Sequence, residues 1–352
     1  MNSNVHIAEV ICGQLEKGLA VVLATIADVR GSSPRHLGAK MVVTADGKSH
    51  GTIGGSLLEA DAIKMAGRVL SERKPALVEF DLDAGGPDSS GMICGGKAVV
   101  LFDFISPDKV NQDIFRRWRD AALAGTSFFF LTYLRDSDHG MIVNGHTLLF
   151  PGGETIGNTT PSIPLAEAVK EAARTASATT VINGGDTRVI IDPVRKAATL
   201  YCFGAGHVAL PTARIAAMAG FRIVVIDDRA EYANAERFPD AERTGVVKDY
   251  AHAFNGLEID VDSFVVIMTR GHQFDRVVLE QALFTPAGYI GMISSRRKRD
   301  AVFQELLTKG FKKKELARVH APIGIDIGSE TPEEIAVSIV AQLIKERAGK
   351  KA

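Results

Sequence analysis

The stretch Ala198-Thr-Leu-Tyr-Cys-Phe-Gly-Ala-Gly-His-Val-Ala209 decides the fold of the C-terminal half of this chain. A short apolar strand pattern runs into Gly204-Ala-Gly206-His-Val-Ala209, which matches G-x-G-x-x-G/A, and a helical pattern opens at its end. Gly204 permits the tight turn, Gly206 lets backbone approach a pyrophosphate, and Ala209 lets helix and strand pack closely. The helix N-terminus itself favours an anion. The next apolar strand, Arg222-Ile-Val-Val-Ile-Asp227, ends on an acid 21 residues beyond Gly206, where a carboxylate can accept hydrogen bonds from ribose hydroxyls. Such a cradle recognises a pyrophosphate and a ribose and leaves the rest of the ligand open. NAD, NADP, a flavin dinucleotide or a pterin dinucleotide all satisfy it. Arg229, beside Asp227 and Asp228, keeps both nicotinamide forms in play.

Downstream, strand patterns at 198–203, 222–227, 263–268 and 288–293, with a short segment at 245–248, alternate with helical patterns at 207–219 and 275–284. Thr331-Pro-Glu-Glu334 reads as an N-cap, a first-turn proline and two acids, and opens a last helix that runs to about 347. This alternation predicts a Rossmann-like α/β domain over 197–352, a parallel sheet with helices on its faces. Ligands bind at the carboxyl ends of such strands. Two words fall there. Thr269-Arg-Gly-His-Gln-Phe-Asp275 supplies Arg270 and His272, and Ser294-Ser-Arg-Arg-Lys-Arg299 supplies Arg296 and Arg297, either as phosphate grips or as a solvated helix face. His207 and His272 are candidates for proton transfer, yet no nucleophile, base and orienting group stand together in the sequence.

Upstream, residues 1–196 read as a pseudo-duplicated α+β domain with copies at about 1–106 and 125–196. Phe128-Phe-Phe-Leu-Thr132 echoes Val21-Val-Leu-Ala-Thr25 at an offset of 107, Glu154-Thr-Ile-Gly157 echoes Gly51-Thr-Ile-Gly54 at 103, and Leu165-Ala-Glu-Ala168 echoes Leu57-Leu-Glu-Ala60 at 108. One short insertion would produce that drift. Only the first copy carries a cysteine in a glycine word, Gly91-Met-Ile-Cys-Gly-Gly96. Cys94 there is either a reactive thiol of lowered pKa or a filler of a tight turn. Cys12 and Cys202 sit in apolar patterns and read as buried.

Three cysteines in 352 residues do not make a disulfide framework. With 41 Lys and Arg against 42 Asp and Glu, the chain lacks the basic surplus of a dedicated nucleic-acid binder. No apolar run approaches the roughly 18 residues of a membrane span, and the N-terminus lacks a secretory pattern, so a cytoplasmic protein is expected. Metal-ligand spacings, G-x-S-x-G and the P-loop lysine motif are all missing, which removes the simple metalloenzyme, hydrolase and NTPase readings. Symmetric dimers being the commonest assembly, a homodimer is expected.

Taken together, these words resemble the XdhC/CoxI family, accessory proteins of xanthine dehydrogenase and related molybdenum hydroxylases. The resemblance rests on Gly31-Ser-Ser-Pro-Arg35, Gly51-Thr-Ile-Gly-Gly55 with Glu59, and Met92-Ile-Cys-Gly-Gly96 in the first domain. In the second it rests on Phe203-Gly-Ala-Gly-His207, Asp227-Asp-Arg229, Arg237-Phe-Pro239, Thr269-Arg-Gly-His272, Ser295-Arg-Arg-Lys298 and Pro322-Ile-Gly-Ile-Asp-Ile-Gly328. It implies a carrier more than a catalyst. Such a protein binds the molybdenum cofactor (molybdopterin or its dinucleotide), shields it while a cysteine desulfurase supplies the terminal sulfido ligand, and hands it to a xanthine dehydrogenase-like molybdenum hydroxylase. By that resemblance Arg35, Gly54, Gly55 and Glu59 join the cofactor-binding residues, with Arg35 meeting the pterin phosphate, and Cys94 becomes the molybdenum ligand or sulfur relay. Some members carry Gly-Gly-Cys-Val-Glu where this chain has Gly55-Ser-Leu-Leu-Glu59, so a family cysteine is replaced by Leu57. Two other readings stay open: an NAD(P)-dependent oxidoreductase, and a non-catalytic scaffold between desulfurase and hydroxylase.

Overall fold

A computed structural model describes residues 3–31, 37–81, 96–137, 140–159, 161–176 and 178–349. The chain divides into two compact units, Ser3–Lys196 and Ala197 onward.

The first unit holds two copies of one motif. In copy one, helix α1 (Ser3–Leu15) precedes strands β1 (Val21–Gly31), β2 (Lys40–Thr44) and β3 (Ser49–Gly51). Helix α2 (Ser56–Glu72) and strands β4 (Ala76–Asp81) and β5 (Gly96–Ile105) complete it. Copy two runs α3 (Lys109–Leu123), β6 (Phe128–Ser137), β7 (Gly140–Leu149), β8 (Thr155–Gly157), α4 (Ile163–Thr175), β9 (Thr180–Gly184) and β10 (Thr187–Val194). Both sheets have the same antiparallel order, β3-β2-β1-β5-β4 and β8-β7-β6-β10-β9. Residues 21–27 of β1 are all buried because the strand feeds two cores. Val22, Ala24 and Ile26 face α2, while Val21 and Leu23 join a core shared with α1, α3 and the second sheet.

The duplication extends to single hydrogen bonds. Ile11 and Trp118, 107 residues apart, are both fully buried. Helices α1 and α3 both end at a left-handed glycine, Gly18 and Gly125, closed by Leu19 N–H on Gln14 O and Thr126 N–H on Ala121 O. Strand pairing and helix burial each correct one of the word matches. Gly51 lies opposite Met41 and Gly157 opposite Thr147, so Gly51 corresponds to Gly157 and not to Glu154. A Cβ at either glycine would lie under 3 Å from a carbonyl oxygen, that of Lys40 or of His146. The buried helix faces pair Leu58, not Leu57, with Leu165. Three-residue words recur by chance, whereas register is set by the ladder and the buried face. The copies differ most between their last two strands. The pair Phe80–Ala98 brackets seventeen residues, and the equivalent pair Gly184–Thr187 brackets two. The longer stretch contains Cys94, which, like Arg35, lies outside the described residues.

The second unit is a Rossmann-like domain. Its elements are β11 (Thr199–Phe203), α5 (Ala209–Met218), β12 (Arg222–Asp227), β13 (Arg243–Val246), β14 (Ser263–Ile267), α6 (His272–Leu283), β15 (Tyr289–Met292), α7 (Arg296–Thr308), α8 (Lys313–Leu316), β16 (Val319–His320) and α9 (Pro332–Gly349). The sheet is parallel throughout, in the order β13-β12-β11-β14-β15-β16. One face packs on α5 and α9, the other on α6 and α7. The order reverses between β11 and β14, and ligands of open α/β sheets bind at such a switch point. Helix α6 starts three residues before the expected 275, because Gly271 takes the N-cap and puts Asp275 in the first turn. Helix α9 opens as its sequence implies: Thr331 Oγ1 accepts Glu334 N–H, and the Glu334 carboxylate accepts Thr331 N–H. Among the described residues no helix is long and apolar enough to cross a membrane.

Candidate functional site

The two glycines of the loop after β11 have different reasons to be there. Gly204 has φ +108°, and a Cβ on it would sit 2.2 Å from Met268 O, so β14 leaves room for glycine alone. Gly206 is the opposite case, since nothing lies within 4 Å of where its Cβ would be. Its backbone is open to an approaching phosphate. The N-cap of α5, Val208, has no side-chain oxygen to satisfy first-turn N–H groups, while Ala205 and Ala209 are fully buried beneath the loop. His207 is exposed beside it.

The acid at the end of β12 is turned inward. Asp227 is 0% exposed. Its Oδ2 accepts Ala205 N–H at 2.8 Å and Arg229 Nη2 at 3.1 Å, and its Oδ1 accepts Arg229 N–H at 3.1 Å and Nε at 2.8 Å. Burial by itself would raise this carboxyl, but the Arg229 guanidinium and the Ala205 amide outweigh it and hold the pKa below the ordinary carboxylate value. Arg229 also lies over the Tyr232 ring, 3.7 Å from its centroid. The next acid, Asp228, bridges the switch point by accepting Arg270 Nη2 at 2.6 Å.

Across that switch point, the loop after β14 is pinned by Asp275. Its Oδ1 accepts Thr269 N–H at 3.1 Å and the Thr269 hydroxyl at 2.6 Å, and its other oxygen pairs with Lys298 of α7. Lys298 is therefore a structural cation. Arg296 and Arg297, on the first turn of the same helix, are exposed, as is His272 at the start of α6. Ser295 caps α7 by accepting Lys298 N–H. The parallel sheet thus carries the glycine loop, Arg270, His272, Arg296 and Arg297 at one edge. Sequence reasoning missed the Asp227–Arg229 clamp and the Asp275–Lys298 tie. The adjacency in Asp227-Asp-Arg229 was a signal for the first; nothing local signals the second.

In the first unit, Gly54 and Gly55 precede α2, and Glu59 sits in its first turn, taking the Thr52 hydroxyl on its carboxylate. Arg35 and Cys94 are not among the residues described beside them. Of the other thiols, burial pushes Cys12 up to about 11 and Cys202 up to about 12, so both are protonated at neutral pH. Among the described residues no three His, Cys, Asp or Glu side chains gather as a metal site.

Known proteins resemble this chain along most of its length. Residues 200–343 match the model of the XdhC Rossmann domain, and residues 14–81 match that of the XdhC and CoxI family. The chain belongs to the XdhC/CoxI family. This XdhC/CoxI chain is 28% identical over 342 residues to a probable xanthine dehydrogenase subunit of Bacillus subtilis (strain 168), covering 95% of each. It is 22% identical over 334 residues to the molybdenum cofactor insertion chaperone PaoD of Escherichia coli (strain K12), covering 95% of this chain and 85% of PaoD. It is 29% identical over 330 residues to the uncharacterized protein YqeB of the same strain, covering 94% of this chain but only 44% of YqeB's length. A solved structure described as a xanthine dehydrogenase from Bacillus halodurans superposes with a TM-score of 0.81 at 29% identity, covering 99% of this chain and 96% of that one.

Proposed function

We propose that this chain is an accessory protein that carries molybdenum cofactor to a xanthine dehydrogenase-type hydroxylase. The observation that carries the reading is the open Gly206 backbone beside an acid whose oxygens are all turned inward. The glycine loop and the α5 N-terminus suit the phosphate of a pterin cargo, with Arg270, Arg296 and Arg297 at the same sheet edge as cations for it. A nicotinamide dinucleotide would require Asp227 to accept ribose hydroxyls, and here both of its oxygens serve Ala205 and Arg229. The relationship to PaoD, named as a molybdenum cofactor insertion chaperone, supports the same cargo. Molybdenum favours sulfur donors, and with Cys12 and Cys202 buried and protonated, Cys94 is the thiol assigned to meet the metal or relay sulfur. The protein holds the cofactor while a cysteine desulfurase provides the terminal sulfido ligand and then releases it to the apoenzyme.

The test is co-expression of a xanthine dehydrogenase-type apoenzyme with and without this chain, scoring molybdenum and cyanide-labile sulfur per hydroxylase active site. A several-fold rise in the sulfurated fraction is expected with the chain present. Equal molybdenum and sulfur in both preparations would overturn the reading.

A further inference from the structure

The internal duplication makes one departure between the copies interpretable. Helix α2 runs to Glu72, whereas α4 stops at Thr175, four residues short of the position equivalent to Glu72 at the 107-residue offset. In copy one, Val69 and Leu70 continue the helix onto the sheet, and Val69 is buried. Its counterpart is Ala176, where the backbone has already left the helix (φ −67°, ψ 107°). The space that Val69 fills in one copy stands open in the other. It is a cavity of about 550 Å³, with Phe129, Leu149, Phe150 and Ala173 among its walls. Phe129 is half-buried there, although its smaller counterpart Val22 is fully buried.

Three cations line this cavity, Lys170, Arg174 and Arg195. Their counterparts in copy one are Ile63, Gly67 and Ser106, so at these three positions the charge occurs only in the copy that has the cavity. Arg174 pairs with Glu171 at 3.1 Å, both largely exposed, and Arg195 Nη2 donates to Ala176 O at 3.3 Å. Among the described residues Lys170 has no ion-pair partner. A cavity of this size falls within the range of small-molecule sites, which combine apolar walls with a few convergent polar groups.

We propose that this cavity binds a small molecule with an apolar body and a single anionic head. The body packs on Phe129 and Phe150, and the head meets Lys170, Arg174 and Arg195. The site lies in the first unit, and no residue of the glycine loop is among its lining.

The experiment uses the full chain and two dyes, 8-anilino-1-naphthalenesulfonate and N-phenyl-1-naphthylamine, which differ by the sulfonate. One saturable sulfonate-dye site per chain is expected, at least tenfold tighter than the neutral dye. It should weaken at least tenfold in Lys170→Glu/Arg174→Glu, weaken with added salt, and resist displacement by inorganic pyrophosphate. Both substituted residues are exposed, and circular dichroism checks the fold. The salt series on the wild-type chain tests the charge requirement without any variant. Equal affinity for the two dyes, displacement by pyrophosphate, or affinity insensitive to both salt and the variant would overturn the proposal, leaving the cations to serve the α4 C-terminus only.

Discussion

Lys40 and His146 occupy the same position in the two copies of the first unit, and each pairs with a carboxylate from the other copy. Thr25 of β1 faces Lys40, and its counterpart Thr132 of β6 faces His146. Asp103 and Asp192 are equivalent in the same way, opposite Leu23 and Phe130. His146 Nε2 lies 2.6 Å from Asp103 Oδ2 with both side chains buried, and Lys40 pairs with Asp192, which also accepts the Thr179 hydroxyl at 2.5 Å. This reciprocal exchange is what an internal twofold produces. It ties the two sheets together where a single copy would leave charges buried and unmatched.

Breaking one such pair from one side should therefore be costly. Lys40→Met and Asp192→Leu should each destabilise the first unit by about 3 kcal/mol, because each leaves an uncompensated buried charge. The double variant should lose less than the sum of the two, by more than about 1 kcal/mol. The chain's single tryptophan, Trp118, is fully buried in the core of this unit, so its fluorescence in a urea titration reports the measurement. Strictly additive losses would show that the pair is not coupled.

The parts of the fold legible in the sequence were those carried by neighbouring residues. The glycine word between a strand and a helix and the cap at Thr331 act within about one turn of the chain, and each step of the strand–helix alternation after 198 is read from the period of its own short segment. Side-chain pairing at long range was not legible. Lys40 and Asp192 are 152 residues apart, and nothing near Lys40 distinguishes a buried ion pair from a surface lysine. The duplication is visible as words, yet Thr155-Ile-Gly157 matches Thr52-Ile-Gly54 by letter, whereas the ladder aligns it with Ser49-His-Gly51. At the candidate site, Asp227 is found by spacing, but its direction is set by Arg229 two residues on, and motif spacing carries no rotamer.

Acid should loosen the second unit through Asp227. Its folded pKa is lowered, so its contribution is fully present above the ordinary carboxylate value of about 3.9 and is lost as pH falls through the lower folded value. Asp227→Ala, which removes both acceptor oxygens, should cost about 3 kcal/mol at neutral pH, remove that part of the acid dependence, and abolish the exchange protection of the Ala205 amide. Amide hydrogen exchange at Ala205 across the acid range checks all but the energy, which a denaturant titration supplies. Unchanged protection in the variant would contradict the clamp.

The two glycines should respond differently to one methyl group. Gly204→Ala puts a Cβ against Met268 O in a left-handed conformation and should cost about 2 kcal/mol or more. Gly206→Ala meets nothing and should stay within about 0.5 kcal/mol of wild type. Thermal melts of the two variants decide it, and similar losses would show that the loop is packed otherwise.

Cys12 and Cys202 should be silent toward thiol reagents in the folded chain, since burial raises both well above neutral pH. In a Cys94→Ser variant, a chromogenic disulfide reagent should find no reacting thiol until denaturant is added, and then two. A fast-reacting native thiol in that variant would remove the ground for assigning sulfur chemistry to Cys94.

The carrier role is tested most directly by purifying the chain anaerobically from a host that makes molybdenum cofactor. Oxidised pterin fluorescence and molybdenum per protomer would be measured for wild type, Gly206→Glu and Cys94→Ser. Near-stoichiometric pterin is expected in the wild type, with loss in Gly206→Glu, whose side chain occupies the open face of the loop. Molybdenum retention is expected to fall in Cys94→Ser. Absence of pterin from all three, under conditions where an established carrier retains it, would contradict the carrier role.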